Sequence, residues 1–488
     1  MLLIELDPES PVPAYLQIRD HIIAMIHDGA LRPGDRLPPT RELASSTGVH
    51  RSTVVRAFEE TRALGYLESR PGSYTTVRRR ARPPEAGGSG RGGPTLIDWV
   101  RNEDSIGAGA ESGRPRTQQR ADSSAVDFEI LAADPALAPT DDLRRCVSKT
   151  MITCGAEALD YADPAGWKPL RETISRRLRA HGVAVGCEEI LITNGAQQAL
   201  DLVLRLLARA GDRVVVEAPT YGMFHPLLRL HGIEPVEVAM KQDGMDLDAL
   251  DDVLDGEAPS LLYTMPNFHN PTGVTTDQAH RERLLQLCED HRVPIVEDGF
   301  EEEMKYFGRA VLPIKSMDAL GLVFYVGSFS KVVFPGLRVG WIAAPSEVVD
   351  RLTAIQHTSC LGANTLAQAV ADRFSRRGGF EIYLRKIHRV YRRRMQVMLA
   401  GLDRYLPAGI EWAKPMGGYT LWLTLPHPAD AESMLCDDLR NAGVRVTGGR
   451  GFFATPPARA HLRLSIACVA EDRIEDGCRR LGSTLAKL

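Results

Sequence analysis

Ile18, Ile22 and Ile26 recur at helical spacing through residues 14–27, and Gly29 followed by Pro33-Gly34 turns the chain, so the first element is an amphipathic helix. After Pro38-Pro39 the pattern predicts a short helix over 41–47, with Thr40 as its N-cap and Gly48 as its stop. A third helix then carries Val54, Ala57, Phe58, Thr61 and Leu64 on one side and ends at Gly65. Residues 66–69 and 74–77, joined by the turn Arg70-Pro71-Gly72-Ser73, read as a two-stranded hairpin. Two short helices separated by a glycine turn and followed by a hairpin are the sequence form of a winged helix-turn-helix.

From residue 126 onward the pattern changes. Apolar runs alternate with amphipathic stretches, as in 189–193 followed by 196–208, or 213–217 followed by 223–231. Alternation of this kind predicts a large α/β domain with a mainly parallel sheet, and a small C-terminal α/β subdomain is expected over about 370–488. Between the two regions, residues 80–124 hold Pro83-Pro84 and the run Gly87-Gly88-Ser89-Gly90-Arg91-Gly92-Gly93, which reads as a flexible tether. The expected layout is 1–79, 80–124 and 125–488, in keeping with ~150 residues per domain for a chain of 488.

Composition narrows the class. The chain is 44% hydrophobic and 25% charged with a net charge of -4, which excludes a wholly disordered chain, a collagen and a histone-like polycation. It has neither a basic-then-apolar N-terminus nor an apolar run near the ~18 residues of a bilayer span, so a cytoplasmic protein without a membrane partner is expected. Its 8 cysteines form no CxxC pair, unlike a disulfide framework or zinc site, and no metal site is expected. Charge is uneven: residues 32–82 contain eleven arginines and no lysine against five acids. That excess points to a polyanion or to a solvated charged face. Arg51, Ser52 and Thr53 fall in the first turn of the third helix, the end that a recognition helix points into the major groove.

The stretch LRPGDRLPPTRELASSTGVHRSTVVRAFEETRALGYLESRPGSYTTV resembles the GntR family of bacterial regulators over some fifty residues. The resemblance implies contacts with double-stranded operator DNA at Arg41, Arg51, Ser52 and Thr53, and at the wing tip, Gly72. Two departures stand out. His50 occupies the place of the family's N-capping serine, and Tyr74 follows the wing turn where glycine is common.

In parallel α/β sheets ligands sit beyond the carboxyl ends of the strands. Five such exits carry polar residues. Thr193-Asn194-Gly195-Ala196-Gln197 is either a phosphate cradle of backbone N–H groups or a plain tight turn. Tyr221, after the strand at 214–217, is either a ring for stacking or a core residue. PNFHNPTG at 266–273 holds Asn270, Asp298 ends an apolar strand, and SFSKVVFPGLRVGW at 328–341 holds Lys331.

Taken in order, these segments resemble the fold-type I pyridoxal 5'-phosphate enzymes of the aspartate aminotransferase superfamily, from Tyr161 to Leu464. The resemblance implies that Lys331 forms a Schiff base with the cofactor aldehyde, Asp298 pairs with the pyridine nitrogen, Asn270 bonds the ring hydroxyl oxygen and Tyr221 stacks on the ring. It assigns the phosphate to the N–H groups of Ala196 and Gln197, to Ser328 and to Arg338, with Tyr161 completing the site from a neighbouring subunit. Arg463 matches the arginine that clamps a substrate carboxylate. One departure is Asp298-Gly299-Phe300, where many relatives place a tyrosine soon after the aspartate.

A GntR-like reader tethered to an aminotransferase-like domain resembles the MocR/GabR-type transcriptional regulators. This implies a homodimer, head-to-tail, that senses pyridoxal 5'-phosphate or an amino-acid or amine effector and alters operator binding. The alternative is a working aminotransferase with a vestigial reader.

Overall fold

The computed structural model describes residues 4, 6, 7, 10, 12–69, 74–78, 125–300, 303–308, 311–333, 335–376 and 378–487. The expected tether at 80–124 and the wing tip at Gly72 lie outside them. The chain divides into two compact units, Met1–Trp99 and Val100–Leu488.

In the first unit, helices α1 (Ala14–His27), α2 (Thr40–Thr47) and α3 (Arg51–Ala63) precede strands β1 (Leu67–Ser69) and β2 (Thr75–Val77), which pair antiparallel. A third stretch completes the wing, because Leu37 N donates to Thr75 O and Val77 N to Asp35 O. Ile18 and Ile22 of α1, Leu43 of α2, and Val54, Ala57 and Phe58 of α3 close on Leu67 and Val77 as one small core. Thr40 is a correction to the expected cap: it is the first helical residue, Pro39 holds the N-cap position, and no side chain caps the helix. Proline presets the dihedral that leads into the first turn, so the start of the helix shifts by one residue. Gly48 ends α2 at φ 71°, a conformation glycine adopts at little cost.

The second unit is an α/β fold around an 8-stranded sheet, with spatial order β4-β11-β10-β9-β8-β5-β6-β7. Its strands are β4 (Ile190–Thr193), β5 (Arg213–Ala218), β6 (Glu234–Lys241), β7 (Gly244–Met245), β8 (Leu261–Thr264), β9 (Ile295–Asp298), β10 (Val323–Ser328) and β11 (Gly340–Ala343); β3 (Val126–Asp127) lies outside this sheet. From β10 through β9, β8 and β5 to β6 the pairing is parallel, as expected, whereas β11 runs antiparallel between β10 and β4. Strands β4, β8, β9 and β10 are buried at every residue, which explains their unbroken apolar runs: both faces are covered by helices.

A second sheet contains β12 (Glu411–Trp412), β13 (Thr420–Pro428), β16 (Arg459–Ser465) and β15 (Thr447–Gly448), in that order. Strand β14 (Val444–Arg445) pairs instead with β3, so the first described residues of this unit join its last third. No helix among the described residues is long and apolar enough to cross a membrane.

Candidate functional site

The first turn of α3 leaves Arg51 and Ser52 exposed and Thr53 partly buried, with Arg41 exposed on α2. His50 supplies the cap itself: its Nδ1 accepts from Ser52 N at 3.3 Å and lies 2.7 Å from Ser52 Oγ. Arg51 Nε donates to Thr40 Oγ1 at 3.3 Å, which ties the start of α3 to that of α2. Tyr74, the other departure, receives the Arg36 guanidinium over its ring at 4.8 Å. A basic, open face around a helix N-terminus suits a phosphate-bearing duplex.

In the second unit the parallel strands bring their carboxyl ends to one edge. Asp298 is the last residue of β9, Ser328 the last of β10, and Tyr221 lies three residues beyond β5. The antiparallel β11 delivers the residues just before it, including Arg338, to that same edge.

Asp298 is 3% exposed. Its Oδ2 accepts from Tyr263 Oη at 2.9 Å, while Oδ1 is buried without a hydrogen-bond partner among the described residues. Burial pushes its carboxyl up to about 6, against the lowering effect of the Tyr263 hydroxyl. A carboxylate with one orphaned buried oxygen fits a protonated ring nitrogen. Tyr263 itself is held by stacking on Phe224, with centroids 4.0 Å apart.

At the other end of the pocket, Gly195 (φ 91°) precedes the helix Ala196–Leu207, whose first amides have no partner within the helix. A Cβ on Gly195 would sit 2.7 Å from Arg338 Nη2. Arg338 has φ 50°, a strained backbone that aims its guanidinium back so that Nη2 donates to Asn194 O at 2.7 Å. Ser328 Oγ accepts from Ser330 N at 3.0 Å. Glycine, amides, hydroxyl and an exposed arginine offer the donors and the charge that suit a phosphate.

Between these ends, Tyr221 Oη donates to Gln197 Oε1 at 3.3 Å. Burial and the nearby Asp298 carboxylate push the Tyr221 hydroxyl up to about 12, with Arg338 and Arg463 acting in opposition. One ring therefore feels three of the expected site residues. Gln197 uses its side chain here as well as its expected amide, since Nε2 donates to Met223 O at 3.4 Å. Lys331 Nζ donates to Leu131 O at 2.6 Å, and Tyr419 Oη holds the lysine's own carbonyl at 2.9 Å. Arg463, 9% exposed, gives Nη2 to Glu129 O at 2.8 Å and to Thr447 Oγ1 at 3.0 Å, and Nη1 to Asn270 Oδ1 at 3.5 Å. Phe452 lies under its guanidinium at 5.3 Å. Tyr161 stands apart from the buried set at 81% exposure.

The residues present thus fit pyridoxal 5'-phosphate at both ends. Sequence reasoning missed Tyr263, Tyr419, Phe452 and the Leu131 carbonyl. The parallel register places Tyr263 opposite Val296, two residues from Asp298 on the same face, and that pairing is the signal that finds it.

Comparison with known proteins agrees with both halves. The model for "Aminotransferase class I and II" matches residues 139–481, and that for "Bacterial regulatory proteins, gntR family" matches 14–77. The chain is 31% identical to the uncharacterized HTH-type transcriptional regulator YdcR of Escherichia coli, across 96% of this chain and 98% of that protein. It is 29% identical to the probable rhizopine catabolism regulatory protein MocR of Rhizobium meliloti, across 100% and 96%. The solved Pyrococcus horikoshii kynurenine aminotransferase superposes with a TM-score of 0.72 at 31% identity, covering 75% of this chain and 91% of that one. The chain belongs to the class I and II aminotransferase family, and carries that domain behind a gntR-family DNA-binding domain in the manner of the MocR-type regulators.

Proposed function

We propose that this DNA-binding regulator holds pyridoxal 5'-phosphate on Lys331 and responds to the cofactor, or to an amine or amino acid that reaches it, by changing its affinity for operator DNA. When bound, the cofactor supplies an electrophilic aldehyde and an electron-withdrawing ring. The chain's residues do the rest. Asp298 Oδ1 pairs with the ring nitrogen, Asn270 donates to the ring hydroxyl oxygen, Tyr221 stacks on the ring, and Ala196, Gln197, Ser328 and Arg338 hold the phosphate. Arg463 takes an effector carboxylate in exchange for the Glu129 carbonyl.

The observation that carries this reading is the orphaned Oδ1 of Asp298 in a chain that also presents an open arginine-bearing recognition helix. The exposed Tyr161 and the exposed Val147, Met151, Ile152 and Leu159 of the helix Thr140–Leu159 support a homodimer, head-to-tail, in which each copy's Tyr161 completes the other's phosphate site. The domain limits we propose are 1–79, 80–124 and 125–488.

An operator gel shift with the full chain, with and without pyridoxal 5'-phosphate and a panel of amines, tests the switch. A shift in affinity that Lys331→Ala abolishes is expected. Affinity indifferent to every addition overturns it. Steady-state turnover of an amino acid with 2-oxoglutarate, unchanged on deleting the residues before Val126, favours a working aminotransferase instead.

A further inference from the structure

Under the turn that carries Asn270 lies a buried pair that the cofactor contacts do not use. Glu217, on β5, and His269 both have side chains only 1% exposed. His269 Nε2 is 3.1 Å from Glu217 Oε2, an ion-pair distance although outside strict hydrogen-bond geometry. On its other side, His269 Nδ1 accepts from Thr272 N at 3.4 Å and lies 2.8 Å from Thr272 Oγ1. Thr272 Oγ1 also accepts from Val274 N at 3.3 Å, which ties the turn to the same side chain. An imidazole that accepts at Nδ1 carries its proton at Nε2, facing the carboxylate. Glu217 also anchors the start of the turn, accepting from Thr264 Oγ1 at 2.6 Å and from Met265 N at 3.1 Å.

The fully buried Arg281 also holds the start of this turn, donating to Pro266 O and Asn267 Oδ1 at 3.0 and 2.6 Å. The turn between these clamps includes Phe268 at φ 48°, a conformation that needs outside support. With its Oδ1 accepting from Arg463, Asn270 has its amide hydrogens left to donate.

We infer that Glu217 and His269 are positioning residues: through the 265–273 turn they fix Asn270, and with it the hydrogen bond that Asn270 gives to the cofactor's ring hydroxyl oxygen. This rests on the proposed cofactor reading. A donor at that oxygen stabilises its anionic form, so losing it raises the pH midpoint of the bound cofactor's visible absorbance.

The test uses the full chain reconstituted with pyridoxal 5'-phosphate. It compares wild type, His269→Leu, His269→Gln, Asn270→Ala and the double variant His269→Leu/Asn270→Ala. Cofactor affinity and the pH midpoint are read by absorbance titration, and thermal unfolding of the cofactor-free chain reports folding. His269→Leu is expected to weaken cofactor binding by about tenfold and to raise the midpoint in the direction of Asn270→Ala. Glutamine, with one donor and one acceptor, is expected to restore both, and the double variant should match Asn270→Ala alone because the two changes act on one contact. A midpoint left at the wild-type value, or effects of the two substitutions that add, overturns the inference. If His269→Leu does not fold, Glu217→Gln takes its place, and an unmoved midpoint there overturns it equally. A wild-type chain that takes up no cofactor overturns the cofactor reading and this inference with it; a wild type that loads normally beside an indifferent His269→Leu overturns the inference alone.

Discussion

The two units treat charge in opposite ways. On the reader, Arg41 and Arg51 stand exposed, and a small apolar core of residues close in sequence does the holding. In the aminotransferase-like unit Arg338 is exposed, but other charges are buried and their partners come from far along the chain: Arg394, 6% exposed, pairs with Asp134 at 2.6 Å and donates to Ala467 O at 2.7 Å. A surface meant for a polyanion keeps its cations in water until the ligand arrives. A pocket for a small molecule instead pairs most of its buried charges in advance, because water is excluded, and leaves Asp298 Oδ1 for the ligand to meet. On this difference, removing an exposed side chain of the reader is expected to act locally, and removing a buried charge of the pocket to act on several distant segments.

That contrast is broken most severely by two substitutions, one on each side. Arg394→Ala leaves Asp134 buried and uncompensated, at an expected cost of about 3–5 kcal/mol. Phe58→Ala opens the small reader core and is expected to cost about 3–5 kcal/mol. Calorimetry on the full chain should show each change lowering a different transition; a single transition lowered by both shows the units melting together.

Next in size is Asp298→Asn. The wild-type carboxyl rises from 3.8 to about 6 on folding, so it contributes stability below the lower value and loses it as pH rises through the higher one. In the cofactor-free chain the amide variant should therefore be more stable at neutral pH, by up to about 3 kcal/mol, and the gain should shrink as the pH falls toward 4. Thermal unfolding across that range checks it. The same variant should bind the cofactor weakly, since the ring nitrogen loses its counter-charge.

The smallest effect sharpens the other half. Arg51→Ala should weaken operator binding by about 1–3 kcal/mol if the guanidinium reads a base edge, and should flatten the salt dependence by about one ion if it grips a phosphate. Affinity measured at several salt concentrations separates the two. Cofactor uptake should be unchanged.

The reader was legible because its signals are local: the spacing of Ile18 and Ile22, the stop at Gly48 and the two short strands all appear where expected. The misplaced cap at Thr40 is the exception, since a proline and a threonine side by side both mark a helix start. In the pocket, the residues at strand exits were legible from their order along the chain. Those reached through register or through backbone atoms were not. Tyr263 meets Asp298 only because β8 and β9 align, His269 in the turn after β8 meets Glu217 on the neighbouring β5, and Lys331 meets a main-chain carbonyl that no side-chain pattern announces.

The pairing of β3 with β14 bears on how the chain is made. A ribosome must deliver Val444 before Val126 has an edge to join, and Arg463 before the Glu129 carbonyl has its donor, so this corner of the second unit waits for some three hundred residues made after it. The reader draws its core from residues up to Val77 alone, and is therefore able to settle before the second unit is complete.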